Sequence, residues 1–150
     1  MEVGEVQGVL RQTKDWSEMS LAEVSIGYEV AVTALQLASA YSAIANGGIL
    51  LKPRLVKQIL SPNGKVVYKE SPEVIRRVAS KEIMSTITDI LVQVVKSGTG
   101  TKAEIQGWSV AGKTGTAHKF IDGVYSKNKY ISNFAGFFPA DNPQVVCVIV

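Results

Sequence analysis

The stretch Gly107-Trp108-Ser109-Val110-Ala111-Gly112-Lys113-Thr114-Gly115-Thr116 decides how this 150-residue chain is read. Two patterns overlap in it. From Gly107 to Thr114 it fits the phosphate-binding loop G-x-x-x-x-G-K-[ST], which must follow a buried strand and open a helix so that backbone N–H groups and the helix dipole meet phosphate. From Lys113 to Thr116 it is the tetrad Lys-Thr-Gly-Thr, which calls for a strand running straight through the lysine. The two patterns demand opposite local structures, so the flanks decide between them.

The residues ahead of Gly107, Thr101-Lys102-Ala103-Glu104-Ile105-Gln106, do not form an apolar strand. Inside the pattern, Trp108, Val110 and Gly112 alternate with Ser109, Ala111 and Lys113, the period of two that a half-buried strand carries. Beyond Thr114, Gly115 and Gly123 stand where a helix would run, each costing roughly 1 kcal/mol against alanine there. Phe120-Ile121-Asp122 adds no stripe at helical spacing. A strand over 108–117 is expected, and a nucleotide-binding protein is the remote reading. The small residues Ala111, Gly112 and Gly115 would let a ligand or a second backbone approach closely.

Outward from this strand, two helices read clearly. Thr33 and Gln36 have the spacing of a capping box. Leu37, Ala38, Tyr41, Ile44 and Ala45 then make an apolar stripe that Asn46-Gly47-Gly48 stops. Ser80 is placed to cap a second helix with Glu82 in its first turn. Its expected buried face is Ile83, Ile87, Ile90, Leu91, Val94 and Val95, and Lys96-Ser97-Gly98 ends it. Further strands are expected over 55–60, 66–68, 130–138 and 144–150. Ser61-Pro62-Asn63-Gly64 makes a hairpin turn between the first two, and Asp141-Asn142-Pro143 a turn between the last two. The run Val145-Val146-Cys147-Val148-Ile149-Val150 is almost continuously apolar, as in a strand buried on both faces. A covering helix is expected to follow it in a longer parent protein.

Several ordered blocks resemble the C-terminal half of a class B penicillin-binding protein transpeptidase domain. Gly4-Glu5 with Gly8 and Leu10 is similar to a P-G-E-x-x-G-x-L segment, with Val3 in the place of proline. Ser25-Ile26-Gly27-Tyr28 and then Val32-Thr33-Ala34-Leu35-Gln36-Leu37-Ala38 resemble S-I-G-x-G-x-x-V-T-P-L-Q-L-A. Glu29 stands where a glycine is usual and Ala34 where a proline is usual. Tyr41 to Gly48, Lys52-Pro53-Arg54-Leu55-Val56, Val110 to Ala117, Tyr130 to Phe137 and Pro139-Ala140-Asp141-Asn142-Pro143 continue the likeness. His118 stands where glutamine is common. The Gly98-Thr99-Gly100-Thr101 loop leans to the division-type branch.

The resemblance implies an α+β fold of the penicillin-binding/β-lactamase-like kind, an antiparallel sheet flanked by helices. Residues 1–150 would be part of one transpeptidase domain, without its upstream S-x-x-K and S-x-N elements or its C-terminal helix. It implies a peptidoglycan D,D-transpeptidase in which a serine forms an acyl-enzyme with a stem peptide and is trapped by β-lactams. Lys113 would steer the substrate carboxylate and support proton transfer. At ~4 Å and an effective dielectric of ~20 that attraction is of order 4 kcal/mol before desolvation. Thr114 and Thr116 would hold the carboxylate, Gly115 would allow close approach, and the Thr116 N–H would complete the oxyanion hole. Lys113 and Thr116 are thus the candidate catalytic residues, and Thr114, Gly115 and Thr116 the candidate substrate-binding ones.

No serine ahead of the motif strand is followed by lysine three positions on, so these residues alone are expected to be inactive. The S-x-N strings Ser61-Pro62-Asn63 and Ser126-Lys127-Asn128 read as turns. No cofactor is implied. The implied partners are stem peptides, β-lactams and, in the parent, a membrane anchor and cell-wall synthesis or division proteins on the outer side of a bacterial cytoplasmic membrane. β-Lactamases and β-lactam sensors share the K-T-G element, and a non-catalytic peptide- or glycan-binding remnant is the alternative from another class.

Composition fits one globular unit: 46% of residues are hydrophobic and the net charge is +3. That mild excess of positive charge does not call for nucleic acid. One histidine, His118, and one cysteine, Cys147, cannot close a metal site. His118 reads as an ordinary cleft-edge or surface residue, and Cys147 as a small buried hydrophobe. Asp122, Asp141 and Glu104 read as solvated loop charges, Trp16 and Trp108 as packing residues. Tyr125 and Tyr130 flank a polar loop that could form a substrate rim.

Overall fold

In a computed structural model of the chain, residues 6–121 and 123–150 are described. Val3, Gly4 and Glu5 of the first resemblance block, and Asp122, lie outside them. In chain order the elements are β1 (Val9–Leu10), α1 (Ser20–Ser25), β2 (Val30–Ala31), α2 (Ala34–Ala45), β3 (Ile49–Leu51), β4 (Gln58–Leu60), β5 (Val66–Lys69), β6 (Val74–Arg77), α3 (Lys81–Ser97), β7 (Ala111–Ile121), β8 (Val124–Phe138) and β9 (Val145–Ile149). Single 3-10 turns occupy Thr13–Asp15 and Thr101–Ala103.

The organising sheet is antiparallel with the order β7-β8-β9, which leaves β7 at an edge. Register places Ala111, Phe137 and Val146 on one face. There they meet Leu91 and Ile87 of α3 and Tyr41, Ile44 and Ala45 of α2 in the core cluster. Burial of the Tyr41 ring raises its pKa above the usual tyrosine value. The opposite face carries Thr114, Phe134, Gly136, Phe138, Cys147 and Ile149, which line a cavity of about 490 Å³ together with the loop after α3.

Both helices start as their sequences require. The capping box of α2 is complete: Gln36 N–H donates to Thr33 Oγ1 at 3.1 Å, and Thr33 N–H to Gln36 Oε1 at 3.0 Å. Gly47 and Gly48 then turn the chain with φ of 78° and 100°. Only glycine fits at Gly48, where a Cβ would collide with the Ala79 carbonyl. Ser80 caps α3 through the Ile83 N–H. The Ser80 side chain also holds the Glu82 carboxyl below the usual carboxylate range, helped by the Glu82 backbone N–H.

Four expectations need correction. The α3 stripe is rotated: Met84, Leu91 and Val95 are buried, whereas Ile83 and Ile90 are 54% and 59% exposed. The sequence satisfies a helical period on two overlapping faces, and the small cross-sheet residue Ala111 selects the one that packs. The motif strand starts at Ala111 and not at Trp108; Trp108 is exposed and packs edge-on to Phe138 at 6.3 Å. Cys147 is exposed. The last strand is half-buried on alternate residues, with Val145 and Ile149 open, so within these residues it is covered on one face only. The turn at Ser61-Pro62-Asn63-Gly64 does join β4 to β5, with Ser61 N–H donating to the Lys65 carbonyl at 2.8 Å.

Candidate active site

The strand reading of the central stretch holds. Gly107 lies in a turn at φ 83°, and from Ala111 the chain runs as strand to Ile121. No helix follows Lys113-Thr114, so there is no N-terminus to receive phosphate and the phosphate-loop reading is excluded.

Alternation along β7 sorts the candidate residues. Lys113 and Gly115 share the face of the fully buried Ala111, and Thr114 and Thr116 share the other. Ala111 and Gly112 are buried, and Lys113 is exposed. Its Nζ donates to the Thr114 carbonyl oxygen at 2.7 Å and reaches Thr114 Oγ1 at 3.4 Å. Thr114 is half-buried and Thr116 exposed. Gly115 pairs with Asn133 of β8, and a Cβ there would stand 2.5 Å from Asn133 Oδ1. Gly112 faces Phe134 so closely that a Cβ would overlap its ring. The glycines let β8 side chains lie flat across the motif strand, whose outer edge pairs with no other described strand.

Two neighbours matter that the motif does not name. Thr99, in the loop after α3, places its hydroxyl 2.8 Å from that of Thr114. Fourteen positions of intervening chain hide this contact from any local pattern. The second is Ser126 with Lys129, which formally satisfies S-x-x-K after the motif strand and which the sequence reading passed over. The structure gives it no nucleophile geometry. Residues 126–129 form an irregular stretch between the His118↔Tyr130 and Phe120↔Tyr125 pairs. Ser126 Oγ accepts from the N–H groups of Asn128 and Lys129 at 3.4 and 3.2 Å, as in a serine turn.

His118 is half-buried beside this turn, its Nδ1 2.8 Å from the Ser126 carbonyl oxygen and its ring 4.6 Å from Tyr130. Those contacts belong to hairpin packing. Tyr125 and Tyr130 are both about half exposed. Tyr125 meets Tyr28 edge-on at 5.9 Å, which ties the Ser25-Ile26-Gly27-Tyr28 block to the hairpin end. Asp141 and Glu104 are exposed, as loop charges should be. Among the described residues no three His, Cys, Asp or Glu side chains come together to hold a metal ion. No described helix is long and apolar enough to cross a membrane.

What this arrangement can do chemically is bind an anion at an exposed strand edge with one ammonium and several hydroxyls. A family model for the penicillin binding protein transpeptidase domain matches residues 1–150. The chain is 40% identical to the probable peptidoglycan D,D-transpeptidase PenA of Neisseria meningitidis, over 97% of this chain and 23% of that protein. It is 40% identical to stage V sporulation protein D of Bacillus subtilis, again over 97% of this chain and 23% of that protein. The crystal structure of penicillin-binding protein 3 from Mycobacterium tuberculosis complexed with ampicillin superposes with a TM-score of 0.86 at 36% identity, covering 95% of this chain and 33% of that one. The chain thus spans about a quarter of the length of the curated relatives it matches.

Proposed function

Since the chain belongs to the penicillin-binding protein transpeptidase family, we propose that it forms the Lys-Thr-Gly-Thr-bearing part of a peptidoglycan D,D-transpeptidase. The activity cross-links stem peptides through a serine acyl-enzyme, and β-lactams acylate the same serine. The nucleophile is supplied by residues outside these 150. The observation that carries the reading is Lys113-Thr114-Gly115-Thr116 on the edge strand of the sheet, with Lys113 and Thr116 exposed.

The proposed division of labour is the one that the family resemblance implies. Lys113, clear of the helices, attracts the terminal carboxylate of the stem peptide or of a β-lactam. The Thr114 and Thr116 hydroxyls share one face of the strand and hydrogen-bond that carboxylate. Gly115 has no Cβ to stand over the sheet face, which leaves room there for Asn133 and for close approach. The Thr116 N–H stabilises the oxyanion of the tetrahedral intermediate, a contribution typically worth 10²–10³ in rate. The reaction needs no cofactor. The outer side of the cytoplasmic membrane is the matching location, with cell-wall synthesis or division proteins as partners.

Incubating the full-length protein with a fluorescent penicillin, followed by peptide mapping, tests this. One stable adduct on a serine outside these residues is expected. Rapid turnover of the penicillin would make the protein a β-lactamase relative, and no adduct would make it a binding remnant.

A further inference from the structure

We infer that Thr99 is a positioning residue for carboxylate recognition, holding the Thr114 hydroxyl and governing where its proton points. This rests on the transpeptidase reading above. The two Oγ atoms are 2.8 Å apart, exposed at the surface, and both residues line the cavity of about 490 Å³ on the outer face of the sheet.

The loop that carries Thr99 is fixed to the end of α3. The N–H groups of Gly98 and Gly100 both donate to the Val94 carbonyl, at 3.1 and 3.0 Å. A Cβ on Gly98 would stand 2.9 Å from the Val94 backbone, so the loop lies flat against the helix end. Thr99 is therefore presented to β7 by a turn whose backbone is anchored on both sides of it.

Lys113 is the third member of the group. Lys113 Nζ lies 3.4 Å from Thr114 Oγ1, and an ammonium has only protons to give. Thr114 Oγ1 accepts from Lys113 and shares one hydrogen bond with Thr99, in which either hydroxyl can be the donor. A substrate carboxylate accepts only, so it must take a proton from Thr114. Thr114 can turn its proton outward without losing its partner only if Thr99 donates. A hydroxyl at residue 99 serves both states; a methyl serves neither.

The test uses the full-length protein and benzylpenicillin, with the pre-acylation dissociation constant and the limiting acylation rate resolved by stopped flow. Thr99→Val, of equal shape, is expected to weaken binding about fivefold, the size of one neutral hydrogen bond, with the limiting rate within about twofold of wild type. Thr99→Ser restores the hydroxyl and is expected to bind as wild type does. Binding by Thr99→Val equal to wild type overturns the inference, as does a Thr99→Ser variant as weak as Thr99→Val. Wild-type protein that takes up no penicillin overturns the transpeptidase reading itself; normal uptake with an unresponsive Thr99→Val overturns this inference alone.

Discussion

Glu29 has a φ of 58°, the positive value reserved for glycine at most turns, and among the described residues it is the one non-glycine so placed. Its sequence position, where the resembled pattern has glycine, already marked it. The sequence did not disclose what holds it there. Ser20, with no solvent exposure, donates to Glu29 Oε2 at 2.8 Å, and Arg11 lies 4.0 Å from Oε1. Left-handed backbone costs a non-glycine residue about 1–2 kcal/mol, and a hydrogen bond to a charged acceptor contributes about 1.5–3 kcal/mol. The bond wins. Glu29→Gly should lower stability by about 1 kcal/mol in urea unfolding despite relieving the backbone; a gain in stability would reverse that ranking. Thr99 is the opposite case in legibility. Its meaning comes wholly from a contact across the fold, and no spacing rule links it to Thr114.

The element scale shows which signals travel from sequence to structure. The capping box at Thr33, the Ser80 cap and the Asn63-Gly64 turn were all readable because each is satisfied within four residues. So was the strand through Lys113, since Gly115 and Gly123 disfavour a helix whatever surrounds them. The short pairs β1-β2 and β3-β6 were not readable: Ile49 pairs with Arg77 and Val9 with Ala31, partners that only the folded chain supplies. The buried face of α3 was misjudged for a related reason. Ile83-Ile87-Ile90-Val94 and Met84-Ile87-Leu91-Val95 both satisfy the helical period, and the sheet chooses. Leu91→Ala should therefore cost about 2–4 kcal/mol by loss of buried contact, whereas Ile90→Ala should stay within about 0.5 kcal/mol. Equal losses in thermal or denaturant unfolding would restore the face expected from sequence.

At the scale of the whole molecule, one face of the central sheet is packed and the other is open. Val145 and Ile149 are 47% and 63% exposed, and Cys147 lies between them on the same face. The apolar run of β9 was legible as a strand; the loop after α3 lies along part of its outer face and leaves Val145, Cys147 and Ile149 exposed. A segment or partner laid across this face would bury the thiol. Cys147 in the isolated 150-residue chain should react with a disulfide reagent at a rate within about tenfold of the unfolded chain, since an exposed thiol has no protection to lose. In the full-length protein the rate should fall by more than tenfold. Equal rates in the two would mean that the face stays open.

Lys113 stands exposed on the edge strand, where the proposed transpeptidase would meet its substrate's carboxylate. The direct measurement is the second-order rate constant for acylation of the full-length protein by benzylpenicillin, in wild type and Lys113→Ala. The proposed role of Lys113, attracting the carboxylate and supporting proton transfer, predicts a fall of at least about 100-fold, with the thermal midpoint little changed because the side chain is solvent-exposed. Acylation of Lys113→Ala at the wild-type rate would contradict the account and remove Lys113 from the mechanism.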